Sequence, residues 1–468
     1  MVQSVAIVWR GLLGSMLVLG SSVHGLDLTL GTATAIVGLG LLAWAWLDLL
    51  GEAARLGLNA VRAAVAIWIT PLLVAPPLFS DDGWSYAAQS WLALHGTNPY
   101  LEGPSSLGGV FLVEVPSIWR DTPAPYGPLT LWMGAEAGRL VADPYLLVLV
   151  HRGLALLGLA LLFWAVPRMA SWVGHNPARA TALACACPLI VANGVAGLHN
   201  DLVMVGLMAA ALVLAVDRGW QIGAVVAGLA LAMKLPGAAV LLAVVLVSLP
   251  AGAGWVSRLR RGLGAGAIAV GVVWLVGLAS GLGNGWIGAL TVPTTVVTPL
   301  SMTAVLGSWT GQDQLTDVVG QVLLVVVAAL LALRTATGDP GRALVATAVL
   351  TTAMVMLSPV VHIWYLLWAW PFVACLTARR LQPVLRVVAV GFGVCAPLQS
   401  DLAGVPHAIA VGVALAVLIG VLLSGHLLDL QRSGSGASRI VQGKHRARRA
   451  GPSEQLGVSA NRRAVEWR

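Results

Sequence analysis

The chain has 468 residues, of which 58% are hydrophobic and only 10% charged, and its mean hydropathy is +0.87. A soluble domain carries about 25% charged residues, so this composition excludes one. Successive apolar runs of about 17–25 residues instead define an all-α polytopic membrane protein. The net charge of +8 does not point to nucleic acid, because its distribution is that of a topology signal.

In chain order, apolar spans are predicted at 5–23, 32–50, 60–79, 145–169, 179–197, 200–216, 220–233, 235–250, 262–281, 317–334, 342–358, 362–378, 384–398 and 405–425. That makes about fourteen crossings, with twelve or thirteen also compatible. No secretory cleavage site follows the first run, which reads as a retained helix. Cys185, Cys187, Cys375 and Cys395 all fall in predicted spans. They form no CxxC pair and read as small buried hydrophobes. Threading from a cytoplasmic N-terminus puts 23 of the 27 Lys and Arg residues at inner ends or in the tail, as the positive-inside rule requires. Residues 1–430 read as a single membrane domain. Residues 431–468 read as a disordered basic cytoplasmic tail, whose KHRARR run suits anionic lipid.

The four remaining basic residues, Arg120, Arg139, Arg152 and Lys234, fall on the outer side, with twelve of the nineteen acids. The first long outer loop runs over about 80–144 and opens on Asp81 and Asp82, where a span leaves the bilayer. An acid at that boundary is a functional candidate. Two short helices are expected in the loop, both lying at the membrane surface. The first, Trp84–His95, sets Trp84, Ala87, Ala88, Trp91 and Leu92 on one face, in helical spacing. The second starts near Pro128 and carries Glu136 and Arg139 three residues apart, on a shared face.

Three further polar signatures lie at outer turns: Gly197–Asp201 (GLHND), the MKLPG turn at Lys234, and Ser358–Tyr365 (SPVVHIWY). Lys234 joins two apolar pieces of about 14 residues, or ~21 Å of helix, against a ~30 Å hydrocarbon core. A lysine held at that depth needs compensation. Either a lipid phosphate supplies it or the side chain snorkels to water.

DGWSYAAQSWLALHGTNPY, PAPYGPLTLW, GLHNDLVMVGL, LALAMKLPG and SPVVHIWYLLW follow one another over residues 82–368. In this combination and order the chain resembles the actinobacterial polyprenol-phosphomannose-dependent α-(1→6)-mannosyltransferases, a family with the type C glycosyltransferase fold. The resemblance implies a helical bundle with juxtamembrane helices over a cavity open to the outer leaflet of the plasma membrane. It implies a polyprenyl-phosphate-mannose donor and a lipid-linked mannan acceptor, in lipomannan and lipoarabinomannan synthesis. Asp82 occupies the family's aspartate position and Asp81 a more variable one. Ser90 stands where the family often has Gly. Tyr86, Gln89, Tyr126, Asn200, Asp201 and Tyr365 fall in the shared motifs and are the expected substrate-binding residues.

The chemistry suits these residues. A polyprenyl phosphate is a weakly basic leaving group that needs charge stabilisation, not a proton. The acceptor hydroxyl must lose a proton as it attacks, so one general base suffices. Asp82 is the expected base, with Asp81 as its neighbour. Lys234, Arg152, His199 and His362 are the expected phosphate partners. No cofactor is called for and no carboxylate-rich metal cage is evident, although an Asp81–Asp82 pair could hold Mg²⁺ or Mn²⁺. The competing readings are a transferase of another phosphopolyprenol sugar, such as arabinose or glucose, and a secondary transporter. The latter would place ionisable groups at the midplane and show internal repeats.

The charge map is testable by cysteine labelling. In intact cells an impermeant maleimide should label Ser105→Cys and spare Ile440→Cys, and labelling at 440 would overturn the map.

Overall fold

A computed structural model describes residues 2–23, 28–289, 300–376 and 381–398. Among them every regular element is helical. The chain opens with α1 (Val2–Gly20), α2 (Leu28–Leu56) and α3 (Leu58–Ile69), the last running into a 3-10 turn at Thr70–Val74. The long connection that follows carries α4 (Asp82–Leu94), α5 (Ser117–Arg120) and α6 (Pro128–Gly138). Next come α7 (Pro144–Trp172), α8 (Pro177–Cys185), a π-helical segment (Ile190–Ala196), α9 (Asp201–Asp217) and α10 (Trp220–Met233). A 3-10 turn (Leu235–Ala239) leads into α11 (Val240–Ser248), followed by α12 (Trp255–Ala279), α13 (Met302–Thr310), α14 (Asp313–Arg334) and α15 (Pro340–Met356). A 3-10 segment (Ile363–Trp368), α16 (Trp370–Cys375) and α17 (Gln382–Val394) close the described chain.

The helix starts are written in the sequence. Asp143, Asn176 and Asp339 each precede a proline, and each side chain accepts a hydrogen bond from the amide three residues on. This satisfies an orphan N–H of the first turn, while proline at the first helical position sacrifices no bond. Pro188 falls in the break between α8 and the π segment, which bend by 60°. Proline removes the N–H a continuing helix needs and crowds the carbonyl four residues back.

α2, α7, α12 and α14 are each long and apolar enough to cross a membrane, and α8 with the π segment makes a fifth if the bent pair is one span. α12 and α14 present Val270, Trp274, Leu275, Leu323, Val325 and Leu330 outward. Such apolar surface belongs against lipid. The other predicted spans are shorter helices or broken ones. The expected spans 60–79, 235–250 and 362–378 each combine a 3-10 piece with a short helix. The span predicted at 405–425 and the tail at 431–468 lie outside the described residues.

Both helices expected in the long loop are present, but α4 is not a surface helix with a solvated polar face. Trp84, Ala87, Ala88 and Trp91 pack with Phe111, Leu147 and Leu198, and the opposite face, with Asp82, Tyr86, Gln89 and Ser90, is buried too. The short polar residues that gave α4 its amphipathic pattern line an interior. On α6, Glu136 and Arg139 form the expected pair, at 3.0 Å and exposed.

α7 packs along α9 through glycine. A Cβ on Gly158 would stand 2.4 Å from the Leu202 carbonyl oxygen, and one on Gly206 2.5 Å from that of Gly158. Small residues let the backbones meet. Gly158→Ala should therefore lose stability, as overpacking costs about 1–3 kcal/mol. Gly153→Ala on the same helix meets nothing within 4 Å and should be neutral or slightly stabilising. Thermal unfolding in detergent separates the two, and equal midpoints would refute the close crossing.

Candidate functional site

The site is built where helices break. The turn before α4 is tied down by Leu78, whose amide donates to Ala196 O at 3.0 Å at the end of the π segment. Arg152, only 1% exposed, donates to the carbonyls of Ala75 (2.7 Å), Pro76 (3.0 Å) and Val195. Phe79 and Leu198 then take left-handed backbone, with φ of 67° and 59°. Each costs about 1–3 kcal/mol and persists only where the surroundings impose it. These turns deliver Asp82 and His199 to one place. Gly83 allows the approach, since its Cβ would stand 2.5 Å from Leu198 Cδ2.

Asp82 is buried in the first turn of α4. The Tyr86 hydroxyl, one turn on, donates to its Oδ2 at 3.4 Å, and His199 Nδ1 lies 3.5 Å from the same oxygen. Burial alone would raise the Asp82 carboxyl. The His199 imidazole, and more distantly the Lys234 ammonium, outweigh it and hold the carboxyl below its ordinary value. Burial, with Tyr126 and Asp82 beside it, pushes the Tyr86 phenol well up, so it stays protonated as a donor. Asp81 is exposed, and burial of part of its carboxyl, then Asp82 and Glu114, raises it. The two adjacent acids are thus separated, one ionised inside and one outside. Among the described residues no three His, Cys, Asp or Glu side chains are grouped to hold a metal ion.

Lys234 stands at the break between α10 and the following 3-10 turn. Its Nζ donates to both oxygens of Asp201, at 2.9 and 3.1 Å. Asp201 is fully buried and also accepts from the Trp368 indole. Lys234 neither snorkels free nor relies on a lipid for its counter-charge. Its ammonium lies 4.7 Å from the Tyr365 ring centroid, 5.6 Å from Trp368 and 5.9 Å from Tyr126. Tyr126 is set there by Gly127, whose amide donates to Met233 O at 3.0 Å and whose Cβ would stand 2.1 Å from Ala232 O.

Aromatic rings close the circuit. His199 stacks on Trp364 at 3.9 Å, and His362 stacks on the same indole at 4.3 Å. Tyr365 stacks on Trp368 at 4.2 Å, and Tyr126 meets Tyr86 edge-on at 5.0 Å. Asp82, Tyr86, Tyr126, Lys234, Asp201, Tyr365, His362 and His199 therefore stand in one ring of contacts. Arg152 does not join it. Its hydrogen-bonded donors hold the backbone carbonyls of Ala75, Pro76 and Val195, which makes it a tie for the turns. Asn200 and Gln89 are buried, with the Asn200 Nδ2 and both Gln89 amide atoms unpartnered. Sequence reasoning did not single out Trp364 and Trp368. It also missed His151, which meets Ser90 Oγ at 3.2 Å and fastens α4 to α7. The density of tryptophan in IWYLLW was the available signal.

Residues 4–250 match the family model described as the α-(1→6)-mannopyranosyltransferase N-terminal domain, and residues 287–425 match the MptB C-terminal domain. The chain is 33% identical over 411 residues to a probable α-(1→6)-mannopyranosyltransferase of Mycolicibacterium smegmatis, covering 76% of this chain and 71% of that one. It is 34% identical over 398 residues to an α-(1→6)-mannopyranosyltransferase of Mycobacterium tuberculosis, covering 69% and 66%. It is 32% identical over 275 residues to α-(1→6)-mannopyranosyltransferase A of Corynebacterium glutamicum, covering 55% and 56%. No solved structure matches the chain.

The Lys234–Asp201 pair makes a stability prediction. Removing one partner of a buried pair costs roughly 3–5 kcal/mol, so Asp201→Asn should lower the unfolding midpoint markedly. The double variant Asp201→Asn/Lys234→Met should recover much of that loss. Strict additivity in the double-mutant cycle would show that the pair does not couple.

Proposed function

Because this chain belongs to the α-(1→6)-mannopyranosyltransferase family, we propose that it transfers mannose from a polyprenyl phosphate to a hydroxyl of a lipid-linked mannan. The observation that carries the reading is Asp82: a buried carboxylate held below its ordinary value, in the same ring of contacts as the largely buried Lys234 ammonium. A base and a cation around one space are what a single displacement requires.

In the proposed step the acceptor hydroxyl attacks the anomeric carbon as its proton passes to Asp82. The bond from that carbon to the phosphate oxygen breaks, and its electron pair leaves with the polyprenyl phosphate. Attack opposite the leaving group inverts the centre, so a β-linked donor yields an α-linkage. Two of the three N–H donors of Lys234 hold Asp201, which leaves one for the leaving phosphate. His199 and His362, stacked on Trp364, flank the same space and act as further donors. Stabilising charge where it develops, in a site poor in water, is the larger part of such catalysis. The Tyr86 hydroxyl holds the Asp82 carboxylate in place. The segregation of 23 of 27 basic residues supports an active site on the outer face of the plasma membrane and cytoplasmic termini.

The test uses the full-length protein in detergent or nanodiscs, with radiolabelled mannosyl phosphopolyprenol and a short α-(1→6)-mannoside. A glucosyl phosphopolyprenol arm decides the sugar. Asp82→Asn keeps the shape and removes the base, so turnover should fall by about 10²–10⁴-fold with donor affinity retained, and Asp81→Asn should be mild. Asp82 is ionised throughout the range above its ordinary value of 3.8. Its contribution to stability is complete above that value and is lost only as pH falls through the lower folded value. The acid limb of wild-type turnover should accordingly lie below the ordinary carboxylate range. Full turnover by Asp82→Asn would remove it from the role of base.

A further inference from the structure

Beside the Tyr86–Tyr126 pair lies a second group of side chains that the transfer step does not use. Tyr86, Tyr126 and Tyr100 share one cluster, with Trp286 packed against it. The turn carrying Trp286 presses on Tyr100 closely: a Cβ on Gly285 would stand 2.6 Å from the Tyr100 ring. Ala93 of α4 packs against the same cluster. Gln89 lies three residues after Tyr86 and four before Ala93, and so on the same face of the helix.

The polar atoms of this group have no partners. Both amide atoms of Gln89, the Tyr100 hydroxyl and the Trp286 indole N–H are all buried without a hydrogen bond. Buried polar groups are almost always paired, and each exception calls for a reason. Tyr100 and Trp286 belong to one cluster, and Gln89 lies on the α4 face that Tyr86 and Ala93 present to it. The cluster's buried residues are all uncharged, which suits a neutral ligand and not a phosphate. Aromatic faces carry negative charge that attracts the C–H edges of a pyranose, while phenol, indole and amide supply the donors and acceptors that sugar hydroxyls need.

We infer that Gln89, Tyr100 and Trp286 form the subsite that binds a pyranose of the acceptor glycan, next to the Asp82–Tyr86 pair. The inference rests on the transferase reading for the ligand's role, but it concerns different residues. In the structure the subsite is closed. It opens when the Trp286 turn parts from Tyr100, and Gly281 and Gly283, with φ of 73° and 57°, are the pivots. The acceptor hydroxyls then replace the missing hydrogen bonds.

The experiment compares Tyr100→Phe and Gln89→Leu with wild type in the full-length protein. Acceptor KM, donor KM and kcat are measured with mannosyl phosphopolyprenol and α-(1→6)-mannobiose. Binding of the mannobiose alone is followed by calorimetry. Each variant should raise the acceptor KM and the mannobiose Kd by roughly threefold to tenfold per lost hydrogen bond, with donor KM unchanged. A raised unfolding midpoint with unchanged acceptor KM and Kd would mean orphaned core atoms only, and would overturn the proposal. A change confined to donor KM would overturn it as well. If wild type binds mannobiose and the variants bind it weakly, but none transfers mannose, the subsite stands and the donor assignment falls. If Gln89→Leu fails to fold, Tyr100→Phe, which deletes one unpartnered oxygen, decides alone.

Discussion

The arrangement depends on one buried ion pair, Lys234 with Asp201. A lysine at a helix break and an aspartate at a helix start are both costly to bury, and each is tolerated because the other is there. Their meeting fixes the end of α10 against the start of α9, and the Trp368 indole on Asp201 O brings in the 3-10 segment. Tyr365 and Tyr126 then wall the ammonium. Without the pair, three chain segments distant in sequence would have no polar reason to converge.

Irregular backbone is the second theme. In an apolar surround every N–H and C=O must be satisfied, so breaks are permitted only where protein supplies partners. Here Arg152 does so for the turn before α4 and for the π segment, and Gly127 does so for the end of α10. The breaks are thereby stabilised where they are useful. Each one ends a helix and aims a polar side chain, Asp82, His199, Lys234 or His362, into a shared interior. The strain at Phe79 and Leu198 lies next to Asp82 and His199, which agrees with this division of labour.

Much of this was legible in the residues. The apolar runs, the capping Asp or Asn before Pro, the two helices in the long loop and the Glu136–Arg139 pair follow from local rules that hold wherever the segment sits. The site could be located because carboxylates, histidines and a lysine at span ends violate the apolar pattern. Asp82 was separable from Asp81 only through the family pattern, since adjacent residues on a helix start have equal local claims to the interior. The partners of Lys234, Asp201 and Arg152 were not legible. A lysine thirty-three residues from its aspartate leaves no periodic trace, and an arginine bonded to carbonyls looks in sequence like one awaiting a phosphate.

The sequence by itself determined the class of protein, the helix starts and which polar side chains had to find partners, because hydrophobicity, capping and proline chemistry act over a few residues. Only the tertiary structure decided who those partners are. Charge pairing, ring stacking and burial are set by distances between segments up to hundreds of residues apart, and the π break, the left-handed turns and the glycine crossings establish those distances together.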